Sequence, residues 1–187
     1  MIQIEPSFSI NEICDLILDV PDFPKKGINF KDITPILANA DAFRSLAAHF
    51  AAQIHPLRSG KKDCLVAIES RGFLFACSMA PILNIPVVLA RKPGKLPRKT
   101  ASYTYDLEYG TDTVEIHADA IAPGEEVFII DDVLATGGTA HAVETLCRNM
   151  GADVKSHHFL MELSFLEGGQ KLSAPYYAMK SYTNSIK

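Results

Sequence analysis

Two adjacent carboxylates, Asp131 and Asp132, are followed within three residues by the loop Ala135-Thr136-Gly137-Gly138-Thr139. An ionised carboxylate only accepts hydrogen bonds, so the acid pair suits hydroxyl donors and repels phosphate. Its natural partner is a vicinal diol, such as the 2′ and 3′ hydroxyls of a ribose, with or without a magnesium ion nearby. The loop suits the opposite charge. Gly137 and Gly138 lack a Cβ, so the backbone can turn sharply and approach a ligand. Thr136 and Thr139 bring hydroxyls that can donate to phosphate oxygens. A helix starting near Thr139 would aim its unpaired N–H groups and positive dipole end into the loop, making Ala135 to Thr139 a phosphate cradle. A phosphate on one side and a diol on the other describe a ribose 5-phosphate. The plainer reading is a solvated acid pair and a glycine turn before a helix; two acids together and threonines on both sides of the glycines favour the functional one.

Such a site needs elements that hold it still. Val127 to Ile130 form a continuous apolar run, the pattern of a buried parallel strand. In open α/β sheets ligands sit beyond the carboxyl ends of such strands, which places the acids where a ligand would be met. The same alternation recurs along the chain. Strands are expected at 65–68, 87–90, 114–117, 127–130, 154–163 and 176–182, and helices from Asp41 to before Pro56, at 73–83 and at 139–150. Ser9 and Glu12 have capping-box spacing, and Ile10, Ile13, Leu16, Ile17 and Val20 recur at helical intervals until Pro21 and Pro24. The expected fold class is therefore α/β: a mostly parallel central sheet flanked by helices, in a single domain over 1–187. Residues 1–35 and 91–117 fit the alternation poorly and are expected to form a small hood and a flexible loop with a hairpin over the ligand.

Two further stretches carry charge where a ligand would need it. Glu69-Ser70-Arg71-Gly72 follows the strand at 65–68, placing a hydroxyl and a guanidinium at its tip. Arg71 can grip a diphosphate through its planar fork, unless it simply pairs with Glu69. Arg91-Lys92-Pro93-Gly94-Lys95 opens a dense basic loop in an otherwise acidic chain. Its glycine spacing is not that of a P-loop. Anion binding by Arg91, Lys92 and Lys95 is expected, and Pro and Gly allow closure over a substrate. Beyond it, Ala101 to Gly110 alternate aromatic and polar residues as an edge hairpin would, with Glu108 and Tyr109 near its tip.

Composition narrows the alternatives. The chain has 187 residues and a formal net charge of −4, which gives no general attraction to nucleic acid or an anionic membrane. No apolar run is long enough to span a bilayer, and no basic region followed by an apolar stretch opens the chain. Cys14, Cys64, Cys77 and Cys147 are too far apart for paired zinc-ligand spacing and are expected to be buried free thiols of a reducing, cytoplasmic setting. His157 and His158 sit in an apolar segment and read as strand residues, one inward and one outward.

The run from Val127 to Thr139 resembles the phosphoribosyl-pyrophosphate signature of the type I phosphoribosyltransferase family. Phe23 to Pro35, Glu69 to Phe75, Arg91 to Pro97 and Tyr105 to Gly110 occur in the order of that family's adenine-specific members, over roughly residues 10–165. The resemblance implies transfer of the 5-phosphoribosyl group from phosphoribosyl pyrophosphate to adenine, giving AMP and pyrophosphate, with magnesium reaching the site through substrate and water rather than direct protein ligands. It implies that Asp131 and Asp132 hold the ribose and that Ala135, Thr136, Gly137, Gly138 and Thr139 hold the 5′-phosphate. Ser70, Arg71, Lys92 and Lys95 would hold the pyrophosphate, with Arg91 from the same or a neighbouring subunit. Glu108 becomes the general acid/base near the purine, with Tyr109 beside it in the loop. Ile28 and Phe30 would pack on adenine, and Lys31 stands where the family often has Arg. A homodimer and a non-proline cis bond at Glu69–Ser70 are also implied. Two rivals remain: an enzyme acting on a 6-oxopurine, and a non-catalytic sensor of phosphoribosyl pyrophosphate or purines. The Phe30-Lys31 neighbourhood and Leu107-Glu108-Tyr109-Gly110 speak against the first. Retention of Glu108 and the basic loop speaks against the second.

Overall fold

A computed structural model describes residues 5–106 and 110–183 of the chain. Five parallel strands form the central sheet in the order β4-β3-β7-β8-β9: β4 Val87–Ala90, β3 Asp63–Ile68, β7 Glu126–Leu134, β8 Asp153–Leu163 and β9 Tyr176–Tyr182. After β3 the chain adds β4 on one side, and later adds β7 on the other. The crevice between the tips of β3 and β7 is therefore the point where strand order reverses, the expected ligand position in a sheet of this kind.

Both faces of the sheet are covered, so β3 is buried throughout its length. On one face α3 (Ala40–Ile54) and α4 (Arg71–Leu83) pack Phe50, Phe75, Met79 and Leu46 against Leu65, Phe128 and Ile130. On the other, α5 (Gly138–Asn149) packs Val143, Leu146 and Cys147 against Val66, Val127 and Ile129. Burying each large apolar side chain contributes about 1.5–3 kcal/mol, so these two layers anchor the strand tips. The hairpin of β5 (Thr100–Asp106) and β6 (Thr111–His117) shares the second face: Tyr105, Val114 and Ile116 are buried there. It is thus part of the core as well as a cover for the site.

Before the sheet come α1 (Ile10–Cys14), the hairpin of β1 (Leu18–Pro21) with β2 (Asn29–Asp32), and α2 (Thr34–Ala38). The expected capping box is present, with Ser9 and Glu12 satisfying each other's backbone N–H groups. The helix it starts is shorter than the apolar spacing suggests. It ends at Cys14, and Val20 belongs to a strand paired with Phe30. Two-stranded pairing across the turn held by Asp22 and Gly27 wins over the helical period. A second difference concerns β7, which continues through the acid pair to Leu134 because β8 keeps pairing with it, Asp131 opposite Phe159 and Leu134 opposite Glu162. On the β3 side, pairing stops at Ile130, and that is where the crevice opens.

His157 and His158 do point to opposite faces, but both faces are covered and neither ring meets solvent. His157 Nε2 lies 3.0 Å from Glu144 Oε2, and His158 Nε2 lies 2.9 Å from the Ser156 hydroxyl. Of the four free thiols, Cys14, Cys64 and Cys147 are buried as expected, whereas Cys77 is exposed on the outer side of α4.

Candidate active site at the strand tips

The acid pair closes the core side of the crevice. Asp132 is 2 % exposed, and one of its oxygens, Oδ2, lies 2.9 Å from Arg71 Nη2 without hydrogen-bond alignment. This ion pair replaces the Arg71–Glu69 alternative. Asp131 Oδ1 accepts the Asp132 backbone N–H at 2.9 Å. Burial pushes both carboxyls up from the ordinary range; the neighbouring Asp132 charge pushes Asp131 further, while Arg71 pulls Asp132 back. Two carboxylates in one desolvated spot favour any ligand that brings hydroxyl donors or positive charge.

The loop from Ala135 to Thr139 faces the same space. Together with Asp131 it lines a cavity of about 180 Å³, so one of the two acids and the loop expected to cradle phosphate open onto one space. Gly137 is the N-cap of α5 at φ 75°, and no side chain caps this helix end. Its leading N–H groups are therefore free for an anion. A Cβ on Gly137 would stand 2.2 Å from the Gly168 carbonyl oxygen, so the missing side chain admits the 168 turn as well as the tight bend. Gly138 has ordinary space around it, with only the Tyr105 ring nearby. Thr136 is exposed, and the Thr139 hydroxyl is already 3.0 Å from the Tyr105 hydroxyl.

At the tip of β3 the Glu69–Ser70 peptide is cis, as the family resemblance implies. Ser70 is exposed and caps α4 with its backbone alone, so a second helix N-terminus opens on the crevice without a side-chain cap. Gly72 owes its place to packing: a Cβ there would stand 2.5 Å from the Ile130 carbonyl oxygen, and its absence lets α4 lie against the acid-bearing strand. The cations expected for the pyrophosphate are all near, and most are engaged. Arg91 pairs with Glu69 through Nη2–Oε1 at 2.9 Å and lies over Phe73, with a third donor on the Lys95 carbonyl. These bonds and the Lys92 N–H outweigh burial and hold Glu69 below the usual carboxylate range. Lys92 pairs with Asp112, and Lys95 is exposed. Arg91 is thus committed to Glu69 within the subunit and reaches a diphosphate only by exchanging that partner.

On the hood, Phe30 faces the crevice. The Arg71 guanidinium lies 5.0 Å from its ring centroid, and Phe23 meets its edge at 5.2 Å. Ile28 is exposed beside it, and its carbonyl accepts the Phe23 N–H. Lys31 is a correction. Strand alternation puts it on the face opposite Phe30, buried, paired with Asp19 and 4.1 Å above the Tyr182 ring. It fastens the hood to β9 rather than reaching a base on Phe30. Glu108 and Tyr109 lie outside the described residues; in the chain they fall between Asp106 and Thr111, which close the hairpin. Reading the sequence singled out neither Tyr105 nor Asp112, which tie this hairpin to the cradle. Their signal is the alternation of Tyr103 and Tyr105, which marks one hairpin face as buried.

A parallel sheet with its cleft at the reversal point, an acid pair and a bare helix N-terminus defines a phosphoribosyl transferase domain, and the family of that description matches residues 35–186. The adenine phosphoribosyltransferase of Rhodospirillum centenum is 52% identical over 166 residues, covering 89% of this chain and 95% of that protein. The crystal structure of the adenine phosphoribosyltransferase from Thermoanaerobacter pseudethanolicus superposes with a TM-score of 0.87 at 46% identity, covering 93% of this chain and 100% of the other. The Saccharomyces cerevisiae adenine phosphoribosyltransferase, complexed with an imino-altritol bisphosphate and adenine, gives 0.87 at 39% identity, covering 91% and 97%. The chain belongs to the adenine phosphoribosyltransferase family.

Proposed function

We propose that this chain transfers the 5-phosphoribosyl group of phosphoribosyl pyrophosphate to adenine, with the strand-tip crevice as its active site. The reaction is purine salvage and yields AMP and pyrophosphate. The observation that carries the site is the single cavity shared by Asp131 and the loop Ala135–Thr139. Asp131 and Asp132 accept the ribose 2′ and 3′ hydroxyls, and the amides and hydroxyls of 135–139 hold the 5′-phosphate. Ser70, the open end of α4, Arg71, Lys92 and Lys95 take the pyrophosphate, with Arg91 joining once it leaves Glu69.

Adenine stacks on Phe30 beside Ile28. Its N9 forms the new bond to ribose C1′ while the bond from C1′ to the pyrophosphate oxygen breaks. The electron pair leaves with pyrophosphate, where Arg71, Lys92 and Lys95 neutralise it. The sugar gains positive charge in the transition state, and the buried acid pair beneath it favours that charge. Glu108 takes the N9 proton. Arg71 stands between the Phe30 ring and Asp132, so its departure toward pyrophosphate clears both the base and the diol positions.

Magnesium fits this arrangement through the substrate. Diphosphate oxygens and water would supply its ligands, with the acid pair close by. When bound, it adds positive charge to the leaving group. Among the described residues no helix is long and apolar enough to cross a membrane; the formal net charge of −4 gives no general attraction to nucleic acid or an anionic membrane, and a cytoplasmic location is part of the proposal. A homodimer is the expectation from the family resemblance, and the exposed Leu74 and Cys77 on α4 offer surface for it. The test is AMP formation from adenine and phosphoribosyl pyrophosphate, with and without magnesium, beside hypoxanthine and xanthine. Magnesium-dependent turnover of adenine alone is expected; equal turnover of a 6-oxopurine, or tight binding without AMP, overturns the reading.

A further inference from the structure

Tyr105 lies on the inner face of β5 with its ring beside Gly138. Its hydroxyl is 3.0 Å from Thr139 Oγ1 and 3.2 Å from Asp112 Oδ2. Asp112 in turn pairs with Lys92 and accepts the Thr113 N–H at 2.8 Å. A line of polar contacts therefore runs from the basic loop, through the base of the hairpin, into the cradle. Tyr105 and Asp112 face each other in the hairpin register, one pair from its end.

Donor arithmetic gives this line a direction. Burial pushes the Tyr105 phenol up, so it keeps its one proton. Burial also pushes Asp112 up, but the bonds from Lys92 and the Thr113 N–H outweigh it and hold the carboxyl below the usual range. Asp112 is ionised and accepts only. With no anion at Thr139, Tyr105 donates to Asp112, and Thr139 donates to the Tyr105 oxygen. A phosphate also accepts only, so Thr139 must turn its proton to it. Tyr105 can then turn its own proton to Thr139, which leaves Asp112 to Lys92 and the Thr113 N–H.

We propose that Tyr105 is a positioning residue that reports occupancy of the 5′-phosphate cradle to the catalytic hairpin and basic loop, by switching its hydroxyl between Asp112 and Thr139. This rests on the reading of 135–139 as the 5′-phosphate site. The strands that respond, β5 and β6, flank Glu108 in the chain, and the cation that responds, Lys92, belongs to the pyrophosphate end. Filling one end of the substrate site thereby alters the hydrogen bonds of the groups used at the other.

The experiment is hydrogen–deuterium exchange of the full-length protein with ribose 5-phosphate as the probe, comparing the wild type with Tyr105→Phe. Phenylalanine keeps the ring against Gly138 and removes only the hydroxyl. In the wild type, ribose 5-phosphate is expected to slow exchange several-fold at 135–141 and to quicken it along 100–106 and 111–117, where the bond from Tyr105 to Asp112 is given up. In Tyr105→Phe the first response stays and the second is lost. The readout is the ratio of rates with and without ligand, so a looser hairpin in the variant does not disturb it. Thr139→Ser should keep the hairpin response and Thr139→Val should lose it. In turnover, Tyr105→Phe should lower kcat by about fivefold to tenfold, the scale of one lost hydrogen bond, and move KM for phosphoribosyl pyrophosphate about twofold or less. An equal hairpin response in the wild type and Tyr105→Phe, or none in either, overturns the relay. Absence of protection at 135–141 in the wild type overturns the phosphate reading beneath it, and the two failures are separate results.

Discussion

The two ends of the proposed site, one for the 5′-phosphate and one for the pyrophosphate, are built on opposite principles. At the 5′-phosphate end the donors are backbone amides at an uncapped helix start, fixed by Gly137 against the 168 turn and by the buried layer under α5. At the pyrophosphate end most of the donors are long side chains that already hold carboxylates: Arg71 with Asp132, Arg91 with Glu69, Lys92 with Asp112. The two ends share one feature, since α4 and α5 both start without a side-chain cap, whereas the long peripheral helix α3 is capped by Asn39. A preformed end binds without rearrangement. An end whose cations are internally neutralised must trade partners, which lets it grip a substrate that carries more charge and later release it.

The largest expected effect belongs to the proposed general acid/base. Glu108→Ala should lower kcat by about a hundredfold or more, the usual weight of a general acid/base, while leaving binding of phosphoribosyl pyrophosphate nearly unchanged. Near-normal turnover in a steady-state assay would remove Glu108 from the chemistry and leave the ends to explain catalysis by themselves. Gly137→Ala attacks the preformed end directly. The new Cβ meets a backbone oxygen at 2.2 Å and the φ of 75° disfavours any side chain, so about 2–4 kcal/mol of stability should go, with ribose 5-phosphate affinity down at least about tenfold. Urea melts and calorimetry would check this. An unperturbed variant would mean the cradle is softer than the comparison claims.

Asp132→Asn addresses the exchangeable end. It frees Arg71 and removes one diol acceptor, so affinity for AMP and phosphoribosyl pyrophosphate should fall about tenfold, the scale of a hydrogen bond to a charged group, while pyrophosphate alone binds no worse. Unchanged affinity for both nucleotide and sugar would refute the diol assignment.

How much of this the sequence disclosed follows the same division. The preformed end was legible because it is local: an apolar run, two acids, glycines and a helix start lie within thirteen consecutive residues. The sheet was legible for a similar reason, since strands buried on both faces leave continuous apolar runs at 65–68 and 127–130. The exchangeable end was not, because partners such as Arg91 and Glu69 or Lys92 and Asp112 are about twenty residues apart and meet only through β4 and the hairpin. Lys31 shows the limit most plainly. The motif put it beside Phe30, and strand alternation turned it to the other face, toward Asp19 and Tyr182. The hood's short strands left no period longer than four residues, so helical spacing from Ile10 to Val20 misled.

The smallest expected effect separates the site's charges from the core's by their opposite response to acid. The acid pair has carboxyls raised above the ordinary range, so the folded chain binds protons there more readily than the unfolded chain. Lowering the pH toward the ordinary carboxylate range therefore favours folding at the site. His158 works the other way. Burial, with the neighbouring His157, lowers it from 6.5 to about 3, so below pH 6.5 the unfolded chain takes a proton that the folded chain refuses. Its neutral form contributes fully above pH 6.5, and stability is lost as pH falls from there toward 3. Glu144 is lowered from 4.5 to about 2, its bonds from His157, Arg148 and the Ser173 N–H overcoming burial, so its contribution holds above 4.5 and is lost below. Between pH 6.5 and 4.5, His158 thus contributes an acid-destabilising slope, which the raised acid pair opposes. His158→Gln should flatten that slope by about 1–2 kcal/mol across the interval, read as the change in unfolding free energy from urea melts at several pH values. An unchanged slope in the variant would remove His158 as the source of the acid sensitivity.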